Sequence, residues 1–473
     1  MSKQVFFKGL TWLLILNILI KPLWVFAIDR QMQNLLGYEA YGTYFSLLSL
    51  AVVLLFIADA GLTNMMTQRV AGKMTVNTQQ LVIIKASLLL LYFITGGFIA
   101  WLSGVTRWEI LLYTMLVQAL GSLLLFLRGM LTAHQLYKAD AWFSTIDKSL
   151  MLALCGYFIY GWWQSISLET FLRLQVVSVG IACLALFLVL ARKGLFIQGK
   201  YEKLANIFQW MLPFALIILL MGAHYRLDAF LLERIRPDGA LQAGVYATAY
   251  RLLDAANMVG YLTASFLVPF IARHKEDKKL VGNVTTYTQH FLVLPGIFAS
   301  CFAFVFAPWV QNLLYHTNDP FNSTVIQLCL AVLPAYYAIH IYGSVLTATA
   351  NFRPFISILL IAVSVNVVLN LLLVPQHGAA GSCIAALVSQ YGCAAACYLA
   401  VKKTVLPFLS VKHLMAYLAS AAALFGLLLV MRAAFHSVWI ILAAIGSLVG
   451  IIAIIRLKFL KTILRSFIPP NHA

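Results

Sequence analysis

The feature that most constrains this chain is its succession of apolar runs, each long enough to cross a bilayer. A spanning helix needs about 20 apolar residues. Fourteen runs of that kind lie near 8–28, 40–62, 82–102, 108–131, 142–162, 168–191, 207–232, 241–270, 286–310, 323–349, 354–374, 380–401, 413–434 and 438–456. Inside a bilayer no water meets the backbone N–H and C=O groups, so such runs read as helices. The predicted fold class is an all-α polytopic membrane protein with about 14 transmembrane helices. Only 10% of residues are charged, against about 25% in a soluble domain. The opening stretch, MSKQVFFKGLTWLLILNILIKPLWVF, has a charged-then-apolar pattern but no small-residue cleavage site, and reads as the first span.

The net charge of +18 is distributed by side rather than gathered into a nucleic-acid surface. With the N-terminus in the cytoplasm, 24 of the 33 Lys and Arg residues fall in cytoplasmic segments. The other nine, Lys21, Arg30, Arg107, Arg173, Arg226, Arg234, Arg236, Arg251 and Arg432, fall in outer loops or within spans. That bias places both termini in the cytoplasm and the chain in the cytoplasmic (inner) membrane. The basic cytoplasmic loops, ARHKEDKKL among them, suit anionic lipid headgroups. No loop is much longer than about 20 residues, so no extramembrane domain could house catalysis. The G-x-x-x-x-G-K-[ST], G-x-S-x-G and H-E-x-x-H patterns are absent from the sequence, and the chain reads as a non-enzyme with no cofactor. All seven cysteines lie in apolar runs and read as packing residues; Cys393 and Cys397 share a helix face with no histidine or carboxylate beside them.

Two short internal matches define a repeat. EAYGTYFSLLSL (39–50) opens the second span and QAGVYATAYRLL (242–253) opens the eighth, pairing Gly42 with Gly244. LTAHQLYKADAWFS (131–144) likewise matches LTATANFRPFISIL (346–359). Both pair helix n with helix n+6, which gives two six-helix lobes of the same orientation, 1–205 and 206–407. Two extra helices and a cytoplasmic tail, 408–473, follow.

Charges inside the spans carry the functional reading. A charge near a bilayer centre costs roughly 2.5–3.5 kcal/mol, so it usually faces a watery cavity and serves a substrate or ion. Lys21, with Asn17 one turn earlier on its face, lies in helix 1, and Pro22 beside it predicts a kink. Helix 7 carries Arg226 and Asp228 on nearly opposite faces; His224 and Asp228, four apart, could pair. Helix 8 carries Arg251 and Asp254, three apart and able to pair locally. Snorkelling to the headgroups remains the alternative for Lys21 and Arg226. Lys21, Arg226 and Arg251 are expected in the outer half of the membrane, facing an axis between the lobes, where cations suit an anionic pyrophosphate. Asp59 is expected at the cytoplasmic edge, as a solvated cap, a partner of Arg69, or a gate. Asn366 and Asn370 read as interhelical glue.

The LILNILIKPLWVFAIDR opening, LLGYEAYGTYFSLLSL, the ADAGL helix end, YRLDAFLL followed by AGVYATAYRLLD, and GAAGSCIAALVSQ resemble polysaccharide-biosynthesis flippases. These belong to the multidrug/oligosaccharidyl-lipid/polysaccharide exporter superfamily. The resemblance implies two lobes around a central cavity that alternates its access. Its substrate would be an undecaprenyl-pyrophosphate-linked oligosaccharide, the pyrophosphate held by Lys21, Arg226 and Arg251. Asn17, Asp228 and Asp254 would be polar cavity or coupling groups, for Na+ or H+. Membrane lipids and other polysaccharide-assembly proteins are the implied partners. Alternatives within the superfamily are an ion-coupled multidrug exporter and a lipid II flippase. A polysaccharide polymerase or ligase would need a substantial outer loop that the chain lacks.

Overall fold

The structure is a computed structural model that describes residues 19–71, 77–134, 136–161, 166–196, 201–406 and 412–435, together with Trp12, Leu16, Asn17, Gly199, Ser437, Val438 and Trp439. Thirteen of the fourteen expected helices fall among them. Helix α1 spans 19–36 and α2 spans 38–59, the two joined at Gly37 (φ 73°). A short helix, Leu62–Ala71, follows. Then come α3 (Thr78–Leu102), α4 (Trp108–Ala133), α5 (Tyr137–Phe143 and Ile146–Tyr160) and α6 (Leu168–Arg192). The second half holds α7 (Leu204–Ile235), α8 (Gly239–Arg273), α9 (Lys278–Tyr315) and α10 (Pro320–Leu330 and Leu333–Ala348). Helices α11 (352–377) and α12 (379–404) meet at Gly378, and α13 is Lys412–Ala434. The expected fourteenth helix, 438–456, lies outside the described residues apart from Val438 and Trp439.

The chain is an all-α polytopic membrane protein. Ten helical stretches among the described residues are long and apolar enough to span a bilayer, and two of them, Leu19–Asp59 and Phe352–Thr404, each contain a pair of helices broken at glycine. Helices α4 and α10 both end at the alanine of an LTA triplet, Ala133 and Ala348, as the second repeat match implies.

Contact between the halves runs through α2, which packs along both α7 and α8. The crossing of α2 and α8 is reciprocal. A Cβ on Gly42 would lie 1.9 Å from the Ala240 carbonyl oxygen, and one on Gly244 would lie 1.9 Å from that of Tyr38. Residues 38 and 240 each precede their glycine by one turn, so the two glycines that the repeat aligned meet across an approximate twofold. Backbones approach this closely only where side chains are absent.

A second feature corrects the sequence reading. Asp59 is neither a solvated cap nor a partner of Arg69; its partner is Lys85. Lys85, 1% exposed, sits in the first lobe's core and donates to Asp59 Oδ1 (2.9 Å), the Ala58 carbonyl (2.9 Å) and Ser122 Oγ (2.7 Å). Its ammonium therefore closes the C-terminal end of α2, just where Ala60 and Gly61 take positive φ and the chain turns into the next helix. Arg69 pairs instead with Glu202. Replacing Lys85 with methionine should destabilise the protein by roughly 3–5 kcal/mol, because Asp59 is left charged and buried. Thermal unfolding in detergent measures this. The Lys85→Met/Asp59→Asn double variant should recover most of the loss; a neutral single variant would contradict the assignment.

Candidate functional site

The charges of α7 and α8 meet a partner that the sequence reading placed outside the membrane. Helix α1 does not end near residue 28; it continues to 36, so Asp29 and Arg30 lie within it. Pro22 offers no N–H to the helix, and the expected irregularity follows as a π-turn over Val25–Asp29, where Arg30 N–H bonds the Val25 carbonyl. Asp29 emerges from that turn wholly buried.

Arg251 is the thirteenth residue of α8, about 18 Å along its axis. Its Nε lies 2.8 Å from Asp29 Oδ2 and donates to Tyr41 Oη at 3.0 Å. Tyr41 in turn donates to Asp29, at 3.0 Å from each carboxylate oxygen. Residues from α1, α2 and α8 are thus joined across the two halves in one buried cluster. Asp254 bridges the arginines: its Oδ2 is 2.5 Å from Arg226 Nη2 and 3.9 Å from Arg251 Nη1. Both guanidinium groups also stack on rings, Arg226 over Tyr250 (4.8 Å) and Arg251 over Phe45 (5.0 Å).

The charges are balanced but the donors are not. Arg226 Nη1, Arg251 Nη2 and Arg30 Nε are buried without a hydrogen-bond partner among the described residues. Asp254 and Arg226 keep 23% and 18% of their side chains exposed, so this network reaches open space on one side. Unspent guanidinium donors beside an opening are what an oxyanion needs.

Lys21 stands apart from this network. It lies 16 residues before Gly37, about 24 Å along α1, and eight residues, about 12 Å, before Asp29. Its charged neighbours are Arg128, Asp147, Lys148 and Asp140. Arg128 and Lys148 are each matched by a carboxylate, Asp140 at 2.7 Å and Asp147 at 3.3 Å. Asn17, one turn earlier, donates to Ser144 Oγ (2.7 Å) on α5.

Asp228 forms a third, separate centre. It is 2% exposed, accepts from Asn370 Nδ2 (2.8 Å) and Tyr246 Oη (3.2 Å), and has no ion pair among the described residues. The expected His224–Asp228 hydrogen bond does not form; His224 Nε2 faces Ser389 Oγ at 3.0 Å instead. His224 also stands beside Cys393, a histidine that sequence spacing could not bring to the cysteine pair. Asn370 further contacts the Asn366 carbonyl (2.9 Å) and accepts from Ser382 (2.8 Å), so the asparagines do bind helices together, around a carboxylate. No group of three His, Cys, Asp or Glu side chains among the described residues is placed to hold a metal ion.

The helices around this site are arranged as in solved structures of a lipid II flippase and of multidrug transporters. The lipid II flippase MurJ, in an inward closed conformation, matches with a TM-score of 0.71 and 12% identity, over 95% of this chain and 99% of that one. The Vibrio cholerae MATE transporter VcmN matches with a TM-score of 0.60 and 18% identity, over 85% and 96%. A MOP superfamily transporter from Pyrococcus furiosus matches with a TM-score of 0.61 and 13% identity, over 86% and 98%. No family model matches the chain, and no curated protein matches it in sequence.

Proposed function

We propose that this protein is a flippase that carries an undecaprenyl-pyrophosphate-linked oligosaccharide across the cytoplasmic membrane by alternating access. The lobes 1–205 and 206–407 would move against each other. The observation that carries the reading is the Arg226–Arg251 pair, bridged by Asp254, with a buried unspent nitrogen on each guanidinium and with Arg226 and Asp254 partly exposed. A pyrophosphate presents several oxyanions to such donors, and charge-assisted bonds of this kind are about twice as strong as neutral ones. Lys21, deeper in α1 and next to two further cations, offers the same headgroup an earlier contact on its path.

Asp228 is the proposed coupling group. A buried carboxylate with only neutral hydrogen-bond partners is costly when ionised, so it favours taking up a proton or a sodium ion. Asp254, held by two arginines, is the local counter-ion.

MurJ, to which the chain is similar over 95% of its length, is a lipid II flippase, and that makes lipid II the second substrate reading. Proteoliposomes separate the readings. Fluorescent lipid-linked oligosaccharide, lipid II and a lipophilic cationic drug are offered in turn under an imposed Na+ or H+ gradient. Gradient-dependent flipping of the lipid-linked oligosaccharide is expected; movement of the drug alone would overturn the proposal. Asp228→Asn should remove the gradient dependence while leaving lipid binding within about threefold of the parent, since the two centres share no hydrogen bond.

A further inference from the structure

Beside the arginine pair lies an aromatic patch that anion binding does not use. Asp254 and Tyr261 are seven residues apart on α8, so they share a face, two turns or about 10 Å apart along the axis. Asp254 and Arg226 are the charged neighbours of Tyr261. Tyr261 is 49% exposed, although its ring packs edge-on to Tyr225 (6.4 Å) and 4.6 Å from His340. These contacts, from α7 and α10, hold the ring in place while about half of the residue stays exposed.

The patch is polar beneath its rings. Tyr225, which directly precedes Arg226, packs at a tilt 4.5 Å from Tyr336, and its hydroxyl is buried without a hydrogen-bond partner among the described residues. His340 Nε2 lies 3.1 Å from Asn257 Oδ1. Gly260 makes the arrangement possible: a Cβ there would sit 2.7 Å from the His340 ring.

Such a surface suits a pyranose. The C–H bonds along one face of a sugar ring are attracted to an aromatic face, while hydroxyl, imidazole and amide groups take the sugar's hydroxyls. We infer that Tyr261, held from beneath by Tyr225 and His340, forms a subsite for the sugar joined directly to the pyrophosphate. The ring stacks on Tyr261 while the arginines hold the diphosphate. The inference rests on the anion reading of Arg226 and Arg251, and Arg226 itself is among the charged neighbours of Tyr261.

The test uses the full chain in lipid nanodiscs and two probes, undecaprenyl pyrophosphate and the same lipid carrying a single N-acetylhexosamine. Tyr261→Ala should weaken binding of the glycosylated lipid about tenfold and leave the bare lipid unchanged, and Tyr261→Phe should bind both like the parent. Equal weakening for both lipids, or no weakening for either, would overturn the subsite. Failure of the parent protein to bind either lipid would overturn the anion reading itself, and the subsite with it.

Discussion

Replacing Arg251 with alanine is expected to lower flipping at least tenfold and to destabilise the fold as well. The second effect follows from Asp29, which would stay buried with only Tyr41 and Gln33 to meet its charge. Removing one partner of a buried pair costs roughly 3–5 kcal/mol. A loss of transport by the single variant would therefore be ambiguous, and the Asp29→Asn/Arg251→Gln double variant resolves it. That variant should recover thermal stability and abundance, since no unpaired charge remains, yet still fail to flip the lipid, since the guanidinium is gone. Recovery of flipping in the double variant would show that Arg251 is only a counter-ion. Arg251→Lys should fall between, keeping the charge but losing the fork that serves Asp29 and Tyr41 in one direction and Asp254 in another.

The second large effect is expected at Gly244. A side chain there cannot coexist with the Tyr38 carbonyl, because even its first carbon would lie 1.9 Å from that oxygen. Gly244→Leu should force α2 and α8 apart at the end where Asn34 also bonds the Leu314 carbonyl (3.0 Å) and Asn322 bonds Tyr38 (3.0 Å) across the halves. Spin labels on the α1–α2 and α7–α8 turns should report longer distances than in the parent, and flipping should fall at least tenfold as the closed state is lost. Unchanged distances would mean that the crossing is not the closure between the halves. Gly42→Leu should behave alike, because the contact is reciprocal.

How much of this was readable in advance depended on range. The helices, their order and the Gly42–Gly244 repeat were legible, since hydrophobic length and local similarity are properties of contiguous residues. Arg226, Arg251, Asp228 and Asp254 stood out for the same reason, as charges inside apolar runs. Asp29 did not. It sits at the edge of a run, where a helix end looks identical to a helix that continues, and only the π-turn after Pro22 and the later break at Gly37 reveal that it lies inside. The AIDR tetrapeptide held the one signal, an acid followed by a base with no glycine or proline before Gly37. Lys85 was hidden similarly: nothing local tells a lysine near the start of a span from one in the preceding loop, yet its ammonium ends in the core on Asp59.

By itself, then, the amino-acid sequence determined the class of molecule: helices of membrane length, doubled by a repeat, with a small set of charges too costly to bury without use. Which charges meet was decided by tertiary structure alone. Residues 29, 41 and 251 come together because two glycine backbones let α2 and α8 touch, and Lys21 falls outside their network because α1 runs on for two further turns. Ion pairing depends on the last few ångströms between helices, a distance no linear spacing encodes.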